Sequence, residues 1–241
     1  MTGKPYDITY NGHSSLEYGL RLLDNQMVWK SPPRTRTLTQ VPNLSIDRVY
    51  SEDRYENITE SFPFVLQRIG SSLFVQRMAI SDWLQPVDDY MRLDFSELPD
   101  YHMMAVPNSN GDLTREAAWR GKLTLDFSCQ PWAYRNGGEV YTSAPLIVNP
   151  EAFESRPLIH LVGTGTCTVT INDIDYTVND AAGDVYLDSD LQEAYDADKQ
   201  RFKSVVLPDY DFPVLLPGDN KIAYSDGVTS LEVMPRWRRL L

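Results

Sequence analysis

The chain has 241 residues, of which 42% are hydrophobic, and its formal net charge is −12. This length and composition allow one large or two small cores and exclude bulk disorder, and the negative charge argues against tight nucleic-acid binding, which needs a basic face. No stretch approaches the roughly 18 apolar residues of a membrane span, and no secretory leader opens the sequence. We therefore expect folding in a reducing cytoplasm, with Cys129 and Cys167 as buried free thiols favoured over a disulfide.

The start of the sequence predicts a hairpin followed by irregular chain. Residues 6–10 alternate as a strand does and end at Asn11-Gly12, a dipeptide typical of a tight hairpin turn. Residues 30–60 are polar and contain proline without a sustained period. This composition indicates loops around one short strand.

The clearest helical pattern lies at 72–84. Apolar residues at helical spacing form one stripe, which places Trp83 in the core: Ile69, Leu73, Ile80, Trp83 and Leu84, with Leu66 in line if the helix begins earlier. A serine at 71 or 72 can cap the start, and Pro86 would enforce the stop. Phe74 and Met78 lie on the opposite face. Packing under a loop is the more ordinary interpretation of that pair, and a subunit contact is the alternative.

Residues 119–129 alternate cleanly and predict a half-buried strand. Its apolar side would comprise Trp119, Leu123, Leu125 and Phe127, so Trp119 is a second core candidate. A turn at 134–138 then opens a polar stretch. We place a domain boundary there, which gives a β domain with one helix at 1–140 and a second domain at 141–241.

The second half predicts a β-sandwich or barrel, because many short strands follow one another at close spacing. The predicted strands are 158–162, 166–171, 174–178, 185–187, 202–207, 221–224 and 228–240. The glycine-rich run at 163–166 is interpreted as a hairpin turn between the first two. The predicted fold class is therefore mainly β with one helix.

The sequence from 228 to 240 closes the pattern with a basic strand. Trp237 falls on the apolar side and is a third core candidate, whereas Arg236 and Arg238 would project together from the outer face as interface candidates. Pro235 cannot donate to a ladder, so this strand is expected at an edge or bulged. The arginine pair could meet the acidic stretch 173–198, which has nine acids and no base, within one protomer or from a partner.

The residue types that catalysis needs do not cluster along the sequence. The histidines, His13, His102 and His160, are isolated, and no nucleophile, phosphate-loop or dinucleotide motif is present. Asp184, Asp188 and Asp190 could act as Ca²⁺ ligands, but their spacing is not that of an EF-hand and a solvated face is favoured. We therefore predict no catalytic residues, no cofactor and no metal, in an acidic assembly or binding protein.

Four stretches resemble the distal tail protein of long-tailed, non-contractile bacteriophages. They are YDITYNGHSSLEYGLRLL at the start, ISDWLQPVDDYMRLDFSELPDYHMMAV after the predicted helix begins, KLTLDFSCQPWAYRNGG before the domain boundary, and DFPVLLPGDNKIAY with VMPRWRRLL near the end. Together they cover most of the chain in the same order. The PG-x-N-x-I element and the PRWR element are the most specific, whereas residues 24–60 match nothing in that family.

The resemblance implies a fold and a role. The first domain would form a ring, most simply a hexamer, and the second would be a galectin-like β-sandwich. Such a hub joins the tail tube protein to the tail-tip protein, holds receptor-binding proteins in many phages, and lets DNA pass without binding it stably. The chain would then belong to the virion, at the distal end of the tail, after assembly in the bacterial cytoplasm. The alternative is a carbohydrate-binding module acting directly in host recognition, and a hydrolase is a distant third.

Overall fold

The computed structural model describes residues 6–23, 26–85, 88–109, 111–201 and 204–241. The chain divides into two compact units: the first comprises Met1–Ala133 with Leu240–Leu241, and the second comprises Tyr134–Arg239. Strands dominate both units, and the described residues contain one α-helix, which confirms the predicted fold class. The division after Ala133 lies seven residues before the predicted boundary at 140.

The first unit is built on a large sheet. Its elements are β1 (Ile8–Tyr10), β2 (His13–Ser14), β3 (Leu20–Leu22), β4 (Arg34–Thr39), β5 (Arg48–Tyr55), β6 (Ile58–Gln67), α1 (Leu73–Leu84), β7 (Met91–Phe95), β8 (Tyr101–Ser109), β9 (Thr114–Ala117) and β10 (Arg120–Arg135). The sheet order is β2-β1-β7-β8-β10-β6-β3, with β9 beside β10. Alternation on β6 and β10 sends Phe62, Phe64, Leu125 and Phe127 into one core, where all four are fully buried.

The predicted hairpin at the start of the chain is confirmed. β1 and β2 pair antiparallel, with Tyr10 opposite His13. Asn11 and Gly12 both have positive φ, 49° and 79°, which is the backbone of a type I′ turn and explains the preference for this dipeptide.

The prediction of loops around one short strand at 30–60 is wrong. The segment forms a second hairpin, in which β4 and β5 pair antiparallel with Leu38 opposite Val49. This two-stranded sheet is separate from the large one. The strands were missed because the apolar alternation that reveals a strand appears only when one face is buried, and here both faces are exposed.

Helix α1 confirms the predicted helix and corrects its start. Ser72 caps it, because its side chain accepts a hydrogen bond from the Val75 N–H (3.3 Å). Ile69 precedes the helix and is 48% exposed, and Leu66 is buried on β6. The helix ends at Leu84, and Pro86, the predicted stop, lies outside the described residues. None of the helices in the described ranges has the length and apolarity needed to cross a membrane.

The second unit is formed by two long strands and the shorter strands that pair with them. Its elements are β11 (Leu146–Asn149), β12 (Leu158–Ile171), β13 (Ile174–Asp188), β14 (Glu193–Asp196), β15 (Val205–Val206), β16 (Gly218–Tyr224) and β17 (Val228–Met234). The last strand, β18 (Arg238–Leu240), spans the division between the two units after Arg239. The long strands form one antiparallel hairpin that serves two sheet halves. One half includes β14 and β17, and the other includes β11, β15 and β16. Both halves contribute to a single core.

The long hairpin corrects two predictions. Residues 163–166 do not form a hairpin turn, since β12 continues through them, and the separately predicted strands 174–178 and 185–187 are parts of β13. The register shifts at a bulge between Gly165 and Cys167, where Gly165 has φ +71°. The predicted strand 202–207 begins outside the described residues, and what is described of it is β15.

Gly163 is required at the bulge because the turn between β16 and β17 approaches it closely, and not because of its own φ. A Cβ added there would lie 2.4 Å from Cys167 Sγ and 2.6 Å from the Gly227 carbonyl oxygen. Gly227 is equally constrained, because a Cβ on it would lie 2.5 Å from the Thr166 carbonyl oxygen. The glycine-rich run therefore allows two backbones to pack in contact.

We expect Gly163→Ala to destabilise the protein by about 2 kcal/mol, the usual cost of forcing an extra carbon into packed surroundings. Urea unfolding of the full chain measures it. Gly165→Asn is the matched control, since asparagine tolerates positive φ and a Cβ at Gly165 meets no atom within 4 Å. Equal stability of the alanine variant and the wild type would show that the two strands can separate freely at the bulge.

Candidate interaction surfaces

The three histidines of the sequence lie on three different strands. His13 is exposed in the first unit, His102 is buried there, and His160 lies on β12 in the second unit. Across the described ranges, no three His, Cys, Asp or Glu side chains gather closely enough to hold a metal ion. The aspartates weighed as Ca²⁺ ligands each face a different basic side chain: Asp184 faces His160, Asp188 faces Arg236 and Asp190 faces Arg238.

Aromatic rings form a ladder across neighbouring strands of the second unit. The His160 ring stacks on Tyr186 with 4.5 Å between centroids, and Tyr186 stacks on Tyr195 at 5.3 Å. Lys199 Nζ lies 4.1 Å from the Tyr195 centroid, over the ring. These ring faces are covered by one another and by the lysine, so they stabilise the sheet as cross-strand pairs. Sequence reasoning missed the ladder because it depends on the strand register.

Arg236 forms a bidentate ion pair with Asp188. Its two terminal nitrogens donate to the two carboxylate oxygens at 2.7 and 3.1 Å, and the Asp188 side chain is only 3% exposed. Burial alone would raise the pKa of Asp188, but the hydrogen bonds and charge of Arg236, with the backbone N–H groups of Leu191 and Asp190, outweigh it and lower that pKa. The pair is therefore an internal stabilising contact of the second unit.

Arg238 is buried in the same region. Its Nε donates to the Glu154 carbonyl oxygen at 2.9 Å, and its terminal nitrogens lie 3.8 Å from the Glu154 carboxylate and 3.9 Å from Asp190. Burial, followed by the nearby charge of Arg156, lowers the pKa of Arg238. Burial, and secondarily the charge of Asp190, raises the pKa of Tyr134 to about 12.

The prediction that Arg236 and Arg238 project from an outer face is wrong. The chain leaves strand geometry after β17, and Arg236 has φ +53°, so strict alternation ends before the arginines. Both turn inward and contact acids within the acidic stretch 173–198, which confirms one of the alternatives drawn from the sequence. Trp237 is half-buried and packs against the core of the second unit.

The outer side of α1 presents a group of exposed apolar residues, which we call the helix surface. Phe74 is 70% exposed, and Val75 and Met78 are each 51% exposed. Ile69 and Trp119, both exposed, lie together beside the start of the helix, because the Arg68 N–H donates to the Trp119 carbonyl oxygen at 2.9 Å. The prediction that Trp119 is a core residue is therefore wrong. Trp119 lies in the turn between β9 and β10, before β10 begins. Trp83, in contrast, is buried.

The β4–β5 hairpin presents a second group of exposed apolar residues, the hairpin surface: Leu38, Leu44, Ile46, Val49 and Tyr50, each more than half exposed. The buried core of the first unit includes no residue between Arg34 and Tyr55 among those described. The hairpin is held at its base, where Tyr55 packs on Trp132 with 5.5 Å between ring centroids.

One carboxylate is buried in the first unit. Glu60 is 2% exposed on the core face of β6; its Oε1 accepts a hydrogen bond from the Lys30 backbone N–H (3.3 Å), and its Oε2 has no hydrogen-bond partner. Burial raises its pKa above the ordinary 4.5 and outweighs the opposing effect of Lys30. Cys129 is buried nearby, and its burial, with the charge of Glu60, raises the pKa of its thiol to about 12. The thiol is therefore inert.

We expect Glu60→Gln to stabilise the protein by about 1 kcal/mol near pH 7, because it removes a poorly compensated buried charge. The native state holds the Glu60 proton more tightly than the unfolded state, so wild-type stability falls as pH rises from about 4.5 through the raised pKa. The advantage of the variant should therefore disappear below pH 4.5. Unfolding curves at several pH values measure it, and a constant difference at all pH values would show that the buried charge is not the cause.

Comparison with solved structures identifies a protein of similar fold. No protein-family model and no curated protein matches the sequence. Among solved structures, the chain matches the crystal structure of the Dit (gp 19.1) protein of SPP1 with a TM-score of 0.69 and 16% identity, covering 95% of this chain and 97% of that chain. That protein is described as a paradigm of the hub adsorption apparatus in phages that infect Gram-positive bacteria.

A second matched structure is the phage P2 baseplate in its activated conformation with Ca. It has a TM-score of 0.49 and 9% identity, and the match covers 95% of this chain and 96% of that chain. The first match confirms, at the level of the fold, the resemblance to a phage distal tail protein that the sequence predicts.

Proposed function

We propose that the chain is a structural hub at the distal end of a bacteriophage tail. The observation that supports this most directly is the fold match to a hub protein along nearly the whole length of both chains. A match of that extent includes both units, whereas a shared sandwich alone would say little, because such folds serve many functions.

In this proposal the first domain, 1–140, forms a closed homo-oligomeric ring, a hexamer by analogy, that joins the tail tube protein to the tail-tip protein. Monomeric proteins rarely expose large contiguous apolar groups. The first unit has two, the helix surface with Phe74 and Met78 and the hairpin surface. The net charge of −12 per copy suits a ring through which DNA passes without binding.

The second domain, 141–241, would be the galectin-like part that faces adhesion proteins, including receptor-binding proteins. Arg236 and Arg238 are not proposed as interface residues, since their side chains are used inside the second unit. We propose a non-enzymatic role in the virion, with assembly in the bacterial cytoplasm. Direct carbohydrate binding, the alternative, is supported only by the fold of this domain, and a glycan array tests it.

The proposal is tested on purified full-length chain and on phage particles. Native mass spectrometry and negative-stain images should show closed rings of about six copies. A ring of this kind forms when each copy contacts the next through two different surfaces and the rotation closes. Gold-labelled antibodies against the chain should mark the tail tip of particles. A chain that is monomeric at all concentrations, and absent from the tail tip, would reject the hub role, and saturable glycan binding by such a monomer would favour the alternative.

A further inference from the structure

We propose that the hairpin surface of one copy docks on the helix surface of the next copy, so that neighbouring chains associate head to tail. This inference rests on the homo-oligomer proposed above and specifies its contact. The two groups of apolar residues would then cover each other between copies, and both would leave water.

The β4–β5 hairpin needs a partner that buries its apolar side chains, because its own unit does not bury them. Among the side chains described from Arg36 to Arg54, all but Val41 are exposed. An isolated two-stranded hairpin is marginally stable in water, because it has no apolar face to bury. Leu38 and Val49 are directly opposite on the same face, and a docked neighbour would give this pair the burial that its own unit does not provide.

The two surfaces adjoin opposite ends of one strand pair, and within the chain neither covers the other, since the residues of both are exposed. β6 and β10 pair continuously from Arg120, opposite Gln67, to Cys129, opposite Ile58. This run is about 30 Å long at roughly 3.3 Å per residue. The helix surface adjoins the Arg120 end and the hairpin base adjoins the Cys129 end. Two different surfaces at two ends are what a heterologous contact requires, whereas a two-fold contact uses one surface twice.

The hairpin and the C-terminal end of α1 carry complementary charges, although Arg77 precedes that end and donates to Ser81 Oγ at 2.9 Å. The hairpin from Arg34 to Tyr55 has four arginines against three acids, a local positive balance in a strongly acidic chain. The C-terminal end of α1 is acidic: Asp82, Asp88 and Asp89 are all exposed, and the last turn contains no basic residue. The helix dipole is also negative at this end, so it attracts cationic side chains. Complementary charge of this kind orients two copies as they meet.

Mixing two variants tests the head-to-tail arrangement. One full-length variant has Phe74→Glu and Met78→Glu on the helix surface, and the other has Leu38→Glu and Ile46→Glu on the hairpin surface. Each alone should be monomeric by sedimentation. An equimolar mixture should form heterodimers and nothing larger, because only one of the two possible hairpin–helix contacts has both of its surfaces intact. Leu191→Glu with Tyr210→Glu, at exposed positions of the second unit, is the control and should assemble like the wild type.

A second measurement does not depend on introducing charge. Chains with Ile46→Cys and chains with Met78→Cys are mixed under mild oxidation, and the native Cys129 and Cys167 are buried and do not compete. The mixed disulfide should predominate over either homodimer. If the hairpin variant still assembles, or if homodimers predominate while the wild type forms rings, the docking is overturned and the hub proposal stands. If the wild type forms no oligomer at all, the docking is overturned, and the tail-tip labelling described above decides the hub proposal separately.

Discussion

Arg236→Ala should destabilise the second unit by about 3 kcal/mol, because it leaves the carboxylate of Asp188 buried and uncompensated. That carboxylate loses both guanidinium hydrogen bonds and keeps only the backbone N–H donors of Asp190 and Leu191. Equilibrium unfolding of the full chain, followed by tryptophan fluorescence and calorimetry, measures the loss. Arg201→Ala is the matched control: Arg201 pairs with Glu193 at the surface of the same unit, so the change should stay within about 0.5 kcal/mol.

The pH dependence identifies the cause. The folded-state pKa of Asp188 lies below its ordinary 3.8, so the ion pair contributes its full stability above that pH and loses it as pH falls through the folded-state value. Wild type and Arg236→Ala should therefore differ by a constant amount near neutrality and converge in acid. Asp188→Asn combined with Arg236→Ala should cost less than Arg236→Ala alone. A double variant as unstable as the single one would show that the arginine acts through packing and not through the charge it compensates.

Trp83→Ala should destabilise the first unit by about 3–5 kcal/mol, as other large aromatic truncations in cores do. Trp83 is 5% exposed, stacks on Tyr18 with 4.7 Å between centroids, and donates from Nε1 to the Tyr10 carbonyl oxygen at 2.9 Å. The alanine variant would leave a cavity between α1 and β1 and an unpaired buried carbonyl. Chemical unfolding of the full chain gives the difference.

Trp119→Ala is the informative comparison, since the sequence pattern ranks both tryptophans as core candidates. The Trp119 side chain is 57% exposed and its hydrogen bond to Arg68 involves only the backbone, so stability should change by no more than about 0.5 kcal/mol. In the proposed oligomer this residue borders the helix surface, so its truncation should weaken assembly instead. Comparable losses of stability in both variants would mean that Trp119 packs into the first unit.

Local rules predicted the elements whose residues bury one face. Ser72 and the apolar stripe through Trp83 identified α1, and Asn11-Gly12 identified the first hairpin, because each depends on chemistry within a few residues. The β4–β5 hairpin was not predicted, since no core imposes alternation on it. The packing under a loop that the sequence favoured for Phe74 and Met78 is wrong, because both side chains are more than half exposed. The alternative, a subunit contact, stays a prediction.

Register and partner choice could not be read from the sequence. Gly163 looked like part of a turn, but its role depends on Gly227, which approaches it from the turn between β16 and β17. The inward turn of Arg236 likewise depends on a positive φ and on Asp188, 48 residues away. Contacts of this separation are decided by how strands pair, and pairing is not encoded in any short window.

The last residues of the first unit are synthesised after the whole second unit. Leu240–Leu241 belong to the first unit although the whole second unit, Tyr134–Arg239, precedes them. Leu241 packs on the first core, and its N–H donates to the Pro131 carbonyl oxygen at 3.1 Å. A ribosome adding about 5–20 residues per second therefore releases these residues several seconds after Ala133. A chain that ends before Leu240 would lack this contact, so its first unit would differ from that of the longer chain.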